Sequence, residues 1–427
     1  TILTGWVFAR RRTLTGMLVA GDAVQPPERQ RGTSRRRVKH HSAYHRVFAA
    51  ARWSLDALGL AVFDLITPWL PEGTIFLALD DTLARKRGRK VFGVGMHHDP
   101  LLSSRKTAVM NRGHSWVVLG VIVKFPFRCD KYYCLPILFR LYVNKKTAAK
   151  KRLRYRTRPE LAVEMLHVLC KAHENKRFHV VADSAYGGKS VFLHLPGNCD
   201  LTSRLTLDAR LYDAPPQPRP DGKGHSAKRG RPRKRGPALP GPREMLHQRG
   251  RRLTLNIYGR RDYVRVIDQV AHLYAMPDRA VRVVAVEPLT GGRKVQAFFS
   301  TCAAATAEQV LTRYARRWSI EETFQQAKTQ LGFEQPQGWT RRSVERTAPT
   351  AMLLYGLIVL WFARVGHRHY QTPHRPWYRS KRHPSFADML TTLRRESIRE
   401  RISSIPLQGR GSQKIKETLL HVVQNAA

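Results

Sequence analysis

The sequence predicts an α/β fold: a mixed-sheet core, a β-rich insertion in the second half, and a helical region at the N-terminal end. Three observations carry this expectation. Apolar runs of strand length at 74–79, 116–125, 134–143 and 178–182 accompany helical spacing at 159–174. A second set of runs, at 253–258, 263–270, 280–286 and 294–300, alternates like antiparallel strands. From about Ala307 the chain then has good helix formers with no Pro and no Gly until Gly332.

Size and charge bound the function. At 427 residues and 42% hydrophobic content the chain can build two or three domains with a real core. A net charge of +45 must be neutralised in use, and nucleic acid is the default polyanion. A membrane surface is the rival, but the basic residues are spread through folded-looking segments and flank no lipid anchor. The longest apolar run, 351–363, is too short to span a bilayer and reads as a buried helix. No secretory signal is visible, although the chain starts at Thr1. Cys129, Cys134, Cys170, Cys199 and Cys302 lack the paired spacing of zinc sites or disulfide frameworks, and free thiols fit a reducing cytoplasm.

Taken in order, residues 1–70 form a helical, basic region expected to bind DNA, with arginine runs at 10–12 and 35–37 and helical periodicity over 45–66. Pro71-Glu-Gly73 breaks the chain and opens the first part of the core, 71–204. Its first strand ends in Asp80-Asp81-Thr82. Carboxylates just past a buried strand are unfavourable unless paired or metal-bound, though turn chemistry accounts for the same residues. His97 and His98 sit in a loop pattern and receive no role. Residues 144–158 carry eight Lys/Arg and no acid, as a solvated loop or a DNA-backbone contact would. The strand at 178–182 ends at Asp183, and Ser-Ala-Tyr-Gly-Gly188 turns into the next helix. The insertion spans 205–299. Residues 212–244 within it are rich in Pro, Gly and Arg, and Arg229-Gly-Arg-Pro232 lies at their centre. The second part of the core, 300–366, holds a glutamate-bearing helix. A basic tail, 367–427, has helical patterning at 386–401 and 414–424.

On that helix Tyr314, Arg317, Glu321 and Lys328 follow at offsets of three, seven and fourteen. At about 100° per residue they fall within an arc of roughly 60°. One carboxylate, two cations and a phenol on one stripe suit a place where metal, phosphate and base meet. A solvated face with spaced charge pairs is the alternative. Glu322 falls about 80° round from Tyr314, outside the stripe.

The spacing Tyr-x2-Arg-x3-Glu-x6-Lys resembles, at every position, the Tyr-Arg-Glu-Lys signature of a group of bacterial insertion-sequence transposases of the DDE type. Gly-Val-Gly-Met-His-His-Asp, Gly-His-Ser-Trp, the Asp183 phrase, Phe299-Ser-Thr301 and the segment from Gly332 to Gly338 resemble the same group, so the likeness covers most of 40–365. It implies a ribonuclease-H-like core in which the first and central strands lie side by side. It also implies that Asp81, Asp183 and Glu321 are catalytic and hold two Mg²⁺ ions, with Mn²⁺ as substitute. Asp81 is preferred to Asp80 because relatives place Thr or Ser after the catalytic aspartate. Tyr314, Arg317 and Lys328 would hold DNA. The Arg229-Gly-Arg-Pro232 core resembles an AT-hook, so Arg229, Arg231 and Arg233 are expected in a minor groove. Some relatives stack an unpaired base on an indole of the insertion. Residues 205–299 contain no Trp, leaving Tyr258, Tyr263 or Tyr274 as substitutes. Cys302 stands where relatives often have an acid.

The resemblance therefore points to a transposase acting on double-stranded DNA, both element ends and target, as a dimer assembled on DNA. The bacterial cytoplasm, at the nucleoid, is the expected location, with no membrane partner. A nuclease of the same fold that does not rejoin ends is the nearest alternative. A non-catalytic DNA-binding protein derived from a transposase is the alternative from another class.

Overall fold

The computed structural model describes residues 2–21, 40–88, 90–99, 101–104, 106–216, 234–257, 260–372, 381–404 and 412–425. Its centre is built by β1 (Thr74–Arg85), β2 (Gly95–His98), β3 (Met110–Phe125), β4 (Arg128–Tyr142), β5 (Arg177–Ala182) and β6 (Cys199–Leu205). β4, β3 and β1 run antiparallel in that order, β1 pairs parallel with β5, and β5 pairs parallel with β6. This is the ribonuclease-H-like arrangement. The central strands are apolar on both faces because helices cover both. α4 (Leu55–Ile66) lies on β4, while α6 (Arg158–Ala172) crosses β3 and β4.

β1 does not stop at Leu79, as its apolar run predicts. β3 is long enough to keep pairing with it on one side, from Leu77↔Val121 through Asp80↔Val118 and Asp81↔Val117 to Arg85↔Gly113. On the other side β5 ends, and its last pair is Leu79↔Ala182. Asp80 and Asp81 are therefore the first residues of β1 beside an open edge.

The insertion is joined to the same sheet. It comprises β7 (Leu211–Tyr212), β8 (Ala238–Leu239), β9 (Arg251–Ile257), β10 (Arg260–Leu273), β11 (Met276–Pro288) and β12 (Gln296–Ser300). β12 pairs antiparallel with β6, and β11, β10, β7 and β8 continue outward from it. A second apolar cluster, including Leu255, Val264, Val286 and Phe298, closes over Val310 and Leu311 of α9 (Ala307–Ala315).

The predicted continuous helix is broken in two: α9 is followed by α10 (Trp318–Leu331), with Arg316 and Arg317 between them. The amides of Arg316 and Arg317 bond to the carbonyls of Arg313 and Tyr314, three residues back, so the chain tightens there. α9 must lie under the insertion while α10 lies on β4, where Thr323 Oγ1 donates to the Cys134 carbonyl at 2.8 Å. Gly332, at φ +61°, ends α10 in the left-handed conformation.

The N-terminal helices α1 (Ile2–Phe8), α2 (Leu14–Ala20) and α3 (His41–Ala49) pack onto this frame. Trp6 is fully buried and its indole N–H donates to the Leu331 carbonyl at 2.9 Å. The periodicity over 45–66 is interrupted because Ser54 caps a new helix, accepting the Ala57 N–H. The apolar run at 351–363 lies in α11 (Arg341–Arg364). By length and composition this helix could cross a membrane, but 83% of its most apolar window is buried inside the protein. The short helices α5 (Lys145–Lys150), α7 (Lys189–Phe192) and α8 (Pro242–Met245), with α12 (Phe386–Ser403) and α13 (Ser412–Asn425) in the tail, complete the described α-helices. The five cysteines are free.

Candidate active site

The open edge beside β1 gathers the acids. Strand alternation places Phe76, Ala78 and Asp80 toward α10, and Leu77, Leu79 and Asp81 toward α6. Asp183 follows the last residue of β5. Its Oδ1 accepts the Ala185 N–H at 2.9 Å, and its carbonyl accepts Ser203 Oγ–H at 2.7 Å. Gly187 allows the turn to close: a Cβ there would stand 2.6 Å from Ser203 Oγ.

On the α10 side, Arg317 clamps two acids at once. Its Nη1 donates to Asp80 Oδ2 at 2.5 Å and its Nη2 to Glu321 Oε1 at 2.6 Å. Both members of the Asp80 pair are about 85% buried. Burial pushes the Asp80 carboxyl up to about 7 against the pull of Arg317, and Asp183 and Asp81 add to the push. Glu322 turns away and pairs with Lys131 of β4 at 2.6 Å.

On the α6 side, Asp81 Oδ1 accepts the Tyr186 hydroxyl at 2.9 Å, and Oδ2 lies 3.2 Å from Arg158 Nε. Ser115 Oγ accepts from Arg158 at 3.1 and 3.2 Å and lies 3.5 Å from Asp81. Burial raises the Asp81 carboxyl above the ordinary carboxylate range. Arg158 and the Tyr186 hydroxyl pull it down, and Asp183 pushes it up. A capping box fixes where Arg158 emerges: Thr157 Oγ1 accepts the Glu160 N–H and Glu160 accepts the Thr157 N–H at 2.6 Å. The Arg158 guanidinium then lies 4.5 Å from the Tyr142 ring.

The sequence-predicted residues are thus partly assembled. Asp183 lies close enough to Asp80 and Asp81 to push both carboxyls up, and Arg317 brings Glu321 to Asp80. Tyr314, on α9 and not on the same helix as Glu321, packs at 4.7 Å against Phe298, with the Arg317 guanidinium 5.6 Å from its ring. Burial raises its phenol, opposed by Arg317 and Arg204. Lys328 lies toward the end of β1. Burial lowers its ammonium and Glu334 opposes this, with Arg85 and Asp99 also acting on it.

Arg229, Arg231, Arg233 and Tyr258 fall outside the described residues. Tyr263 and Tyr274 are exposed, and Arg235 stacks 3.7 Å from the Tyr274 ring centre. His97 is buried against Tyr142, and burial pushes it down to about 4. Sequence reasoning gave no role to Tyr186, Arg158 or Ser115. Tyr186 and Ser115 stand in phrases that carry the resemblance, and Arg158 closes the basic run, but their common partner Asp81 is visible only in the fold.

Asp80, Asp81, Asp183 and Glu321 offer only hard oxygen donors, which fits Mg²⁺ or Mn²⁺. A cation already stands among them: the Arg317 guanidinium lies between Asp80 and Glu321. Among the described residues no three acidic, His or Cys side chains are drawn together into a ready-made metal cage.

Comparison with known proteins adds the family. No curated protein matches the chain. The family described as DDE superfamily endonuclease matches residues 9–265, a span that takes in Asp80, Asp81 and Asp183 and ends before Glu321. DDE-type enzymes cut DNA as nucleases or transposases and typically use divalent metal ions. With more than half of its residues matched, this chain belongs to the DDE superfamily endonuclease family.

Proposed function

We propose that this protein is a DNA transposase that cleaves the ends of an insertion element and joins the freed 3′-OH to target DNA. The supporting observation is the open edge where β5 stops: Asp80 and Asp81 flank it from either face, Asp183 stands at its tip, and Glu321 is tied in through Arg317. Asp81, Asp183 and Glu321 would hold the two divalent ions, which supply activation of the attacking oxygen and stabilisation of the leaving one. Asp80, the more buried of the two adjacent aspartates, anchors Arg317. Tyr186 and Arg158 fix the orientation of Asp81. Arg317 has a planar fork of donors, and with Lys328 it can grip the phosphates flanking the reacting bond.

Each chemical step exchanges one P–O bond for another. Water attacks the phosphorus and the 3′-oxygen leaves, then that 3′-OH attacks a target phosphodiester and displaces its own 3′-oxygen. No protein–DNA covalent bond is needed. Assembly as a dimer on DNA, minor-groove contacts by Arg229, Arg231 and Arg233, and a nucleoid location in a bacterial cytoplasm belong to the same reading.

The test uses DNA carrying the inverted repeats sought beside the coding region, incubated with Mg²⁺ and a target plasmid. Cleavage with joined products supports the proposal, and cleavage without joined products reduces it to a nuclease. Asp183→Ala and Glu321→Ala should each abolish cleavage while leaving end binding nearly intact, because Lys and Arg contacts to phosphate dominate affinity. Near-normal cutting by either variant would remove that residue from the site.

A further inference from the structure

Upstream of Asp80, on the same face of β1, lies an open cavity of about 760 Å³. Its apolar surface comes from Trp69, Pro71, Phe76 and Tyr132, and its cations are Lys124 and Arg316. Among the described residues no carboxylate lines it. The Arg316 guanidinium is lodged 4.5 Å from the Phe76 ring centre and 4.7 Å from that of Tyr132, and Lys124 Nζ stands 4.5 Å from the Tyr132 ring. Next to it, Arg313 lies 5.6 Å from Phe76, with its Nη1 buried and lacking a hydrogen-bond partner among the described residues. Among the described residues neither arginine has a carboxylate at ion-pair distance, unlike Arg317, which has two.

Two half-buried guanidiniums without counter-charge, set on aromatic rings beside an apolar hollow, match a ligand that is flat and apolar at one end and anionic at the other. A nucleotide has that form. The position agrees. Phe76 is four residues before Asp80, about 13 Å along the strand. A stacked strand rising 3.4 Å per nucleotide covers that distance within a few nucleotides.

We propose that this cavity takes one unpaired nucleobase of the DNA strand crossing the candidate active site, with Arg316 and Lys124 on the adjoining phosphates. The proposal rests on the reading of the protein as a DNA-transfer enzyme. The site lies on the core, between the turn that precedes β1 and strands β3 and β4, and not on the insertion, which has no Trp.

The experiment compares a blunt duplex with the same duplex bearing a short 3′ tail of unpaired thymidines that includes one 2-aminopurine. Affinity is read by anisotropy and stacking by 2-aminopurine quenching. Wild type should prefer the tailed duplex by roughly tenfold or more, the size of one base–aromatic stack. Trp69→Leu and Arg316→Gln should bring the ratio toward one and restore the fluorescence. Folded variants that keep both preference and quenching would overturn the proposal, as would a wild type that binds the two duplexes equally. If wild type binds neither DNA at low salt, the DNA-transfer reading itself fails and the cavity proposal falls with it. Trp69 packs against Phe125 at 5.3 Å, so its variant also removes a core contact. Lys124→Gln, at the exposed rim, then carries the test: it should lower the preference and reduce the salt slope for the tailed duplex by about one.

Discussion

Asp80 and Asp81 are neighbours in sequence, yet the two faces of β1 give them different chemistry. Asp80 is pressed under α10, its carboxyl raised by burial to about 7, and held by an arginine that also holds Glu321. Asp81 is more open and is held by a phenol and an arginine that touches it at 3.2 Å. The comparison teaches that a doubled aspartate at the end of a β5-type pairing need not be a redundant pair. One carboxylate can hold the arginine of the glutamate helix while the other stays open toward solvent and ions.

The largest effect should come from separating these roles. Asp81→Asn should lower DNA cleavage on the order of 10⁴-fold, as loss of a group that acts as part of a catalytic unit does. Asp80→Asn should lower it about 10–100-fold, as loss of a supporting partner does. Single-turnover cleavage of an element end measures both. Greater residual activity in the Asp81 variant would exchange the assignments.

Stability should show the reverse order. Removing one partner of a buried ion pair leaves an uncompensated charge, at a cost of about 3–5 kcal/mol. Arg317→Ala should therefore destabilise by about 3 kcal/mol in urea unfolding, since Asp80 with its raised pKa can take up a proton and soften the loss. Arg317→Ala combined with Asp80→Asn should recover most of it. Arg158→Ala, whose partner Asp81 is more exposed, should cost less than Arg317→Ala. Equal losses would mean that the two faces do not differ in burial.

How much of this was legible depends on how local the cause is. The apolar run into Asp80, the strand into Asp183 and the helical segment around Glu321 are set by neighbours in sequence and each exists, but the four-residue stripe is divided, with Tyr314 on α9 and Glu321 and Lys328 on α10. The end of β1 was not legible, because its continuation depends on the length of β3, which keeps pairing past the aspartates. The break at Arg316–Arg317 was hidden for a similar reason: residues 307–331 favour a helix throughout, and only packing under the insertion on one side and on β4 on the other divides it. Tyr186 and Arg158 lie far from Asp81 in the chain, and no spacing rule joins them.

His179 extends the comparison to pH. It lies on the Asp80 face, buried, with Nε2 2.7 Å from Thr202 Oγ1. Burial pushes it down to about 4, helped by Arg313 and Arg316 and opposed by Asp200. Its folded pKa is below the unfolded value of about 6.5, so the fold refuses a proton that the unfolded chain accepts. The stability tied to this group is therefore intact above about 6.5 and is lost as pH falls toward 4. The loss should approach about 2–3 kcal/mol by pH 4.5. His179→Gln, which can still bond Thr202, should flatten that part of the profile in urea melts. An unchanged profile would show that other groups carry the acid sensitivity.

The smallest expected effect tests the far end of the stripe. Lys328 lies toward the end of β1 and has no carboxylate at ion-pair distance among the described residues, while Arg317 is already engaged by Asp80 and Glu321. If Lys328 meets a phosphate in the cleavage complex, Lys328→Ala should weaken cleavage and lower its salt slope by about one, since each phosphate contact releases about one counterion. The fold should hardly notice, because an unpaired lysine contributes no buried pair to break. Single-turnover cleavage across a salt series, with circular dichroism to confirm folding, separates the two readings. A solvated face would lose at most about 0.5 kcal/mol per charge pair and leave the slope unchanged. That result would leave Lys328 without a phosphate-gripping role.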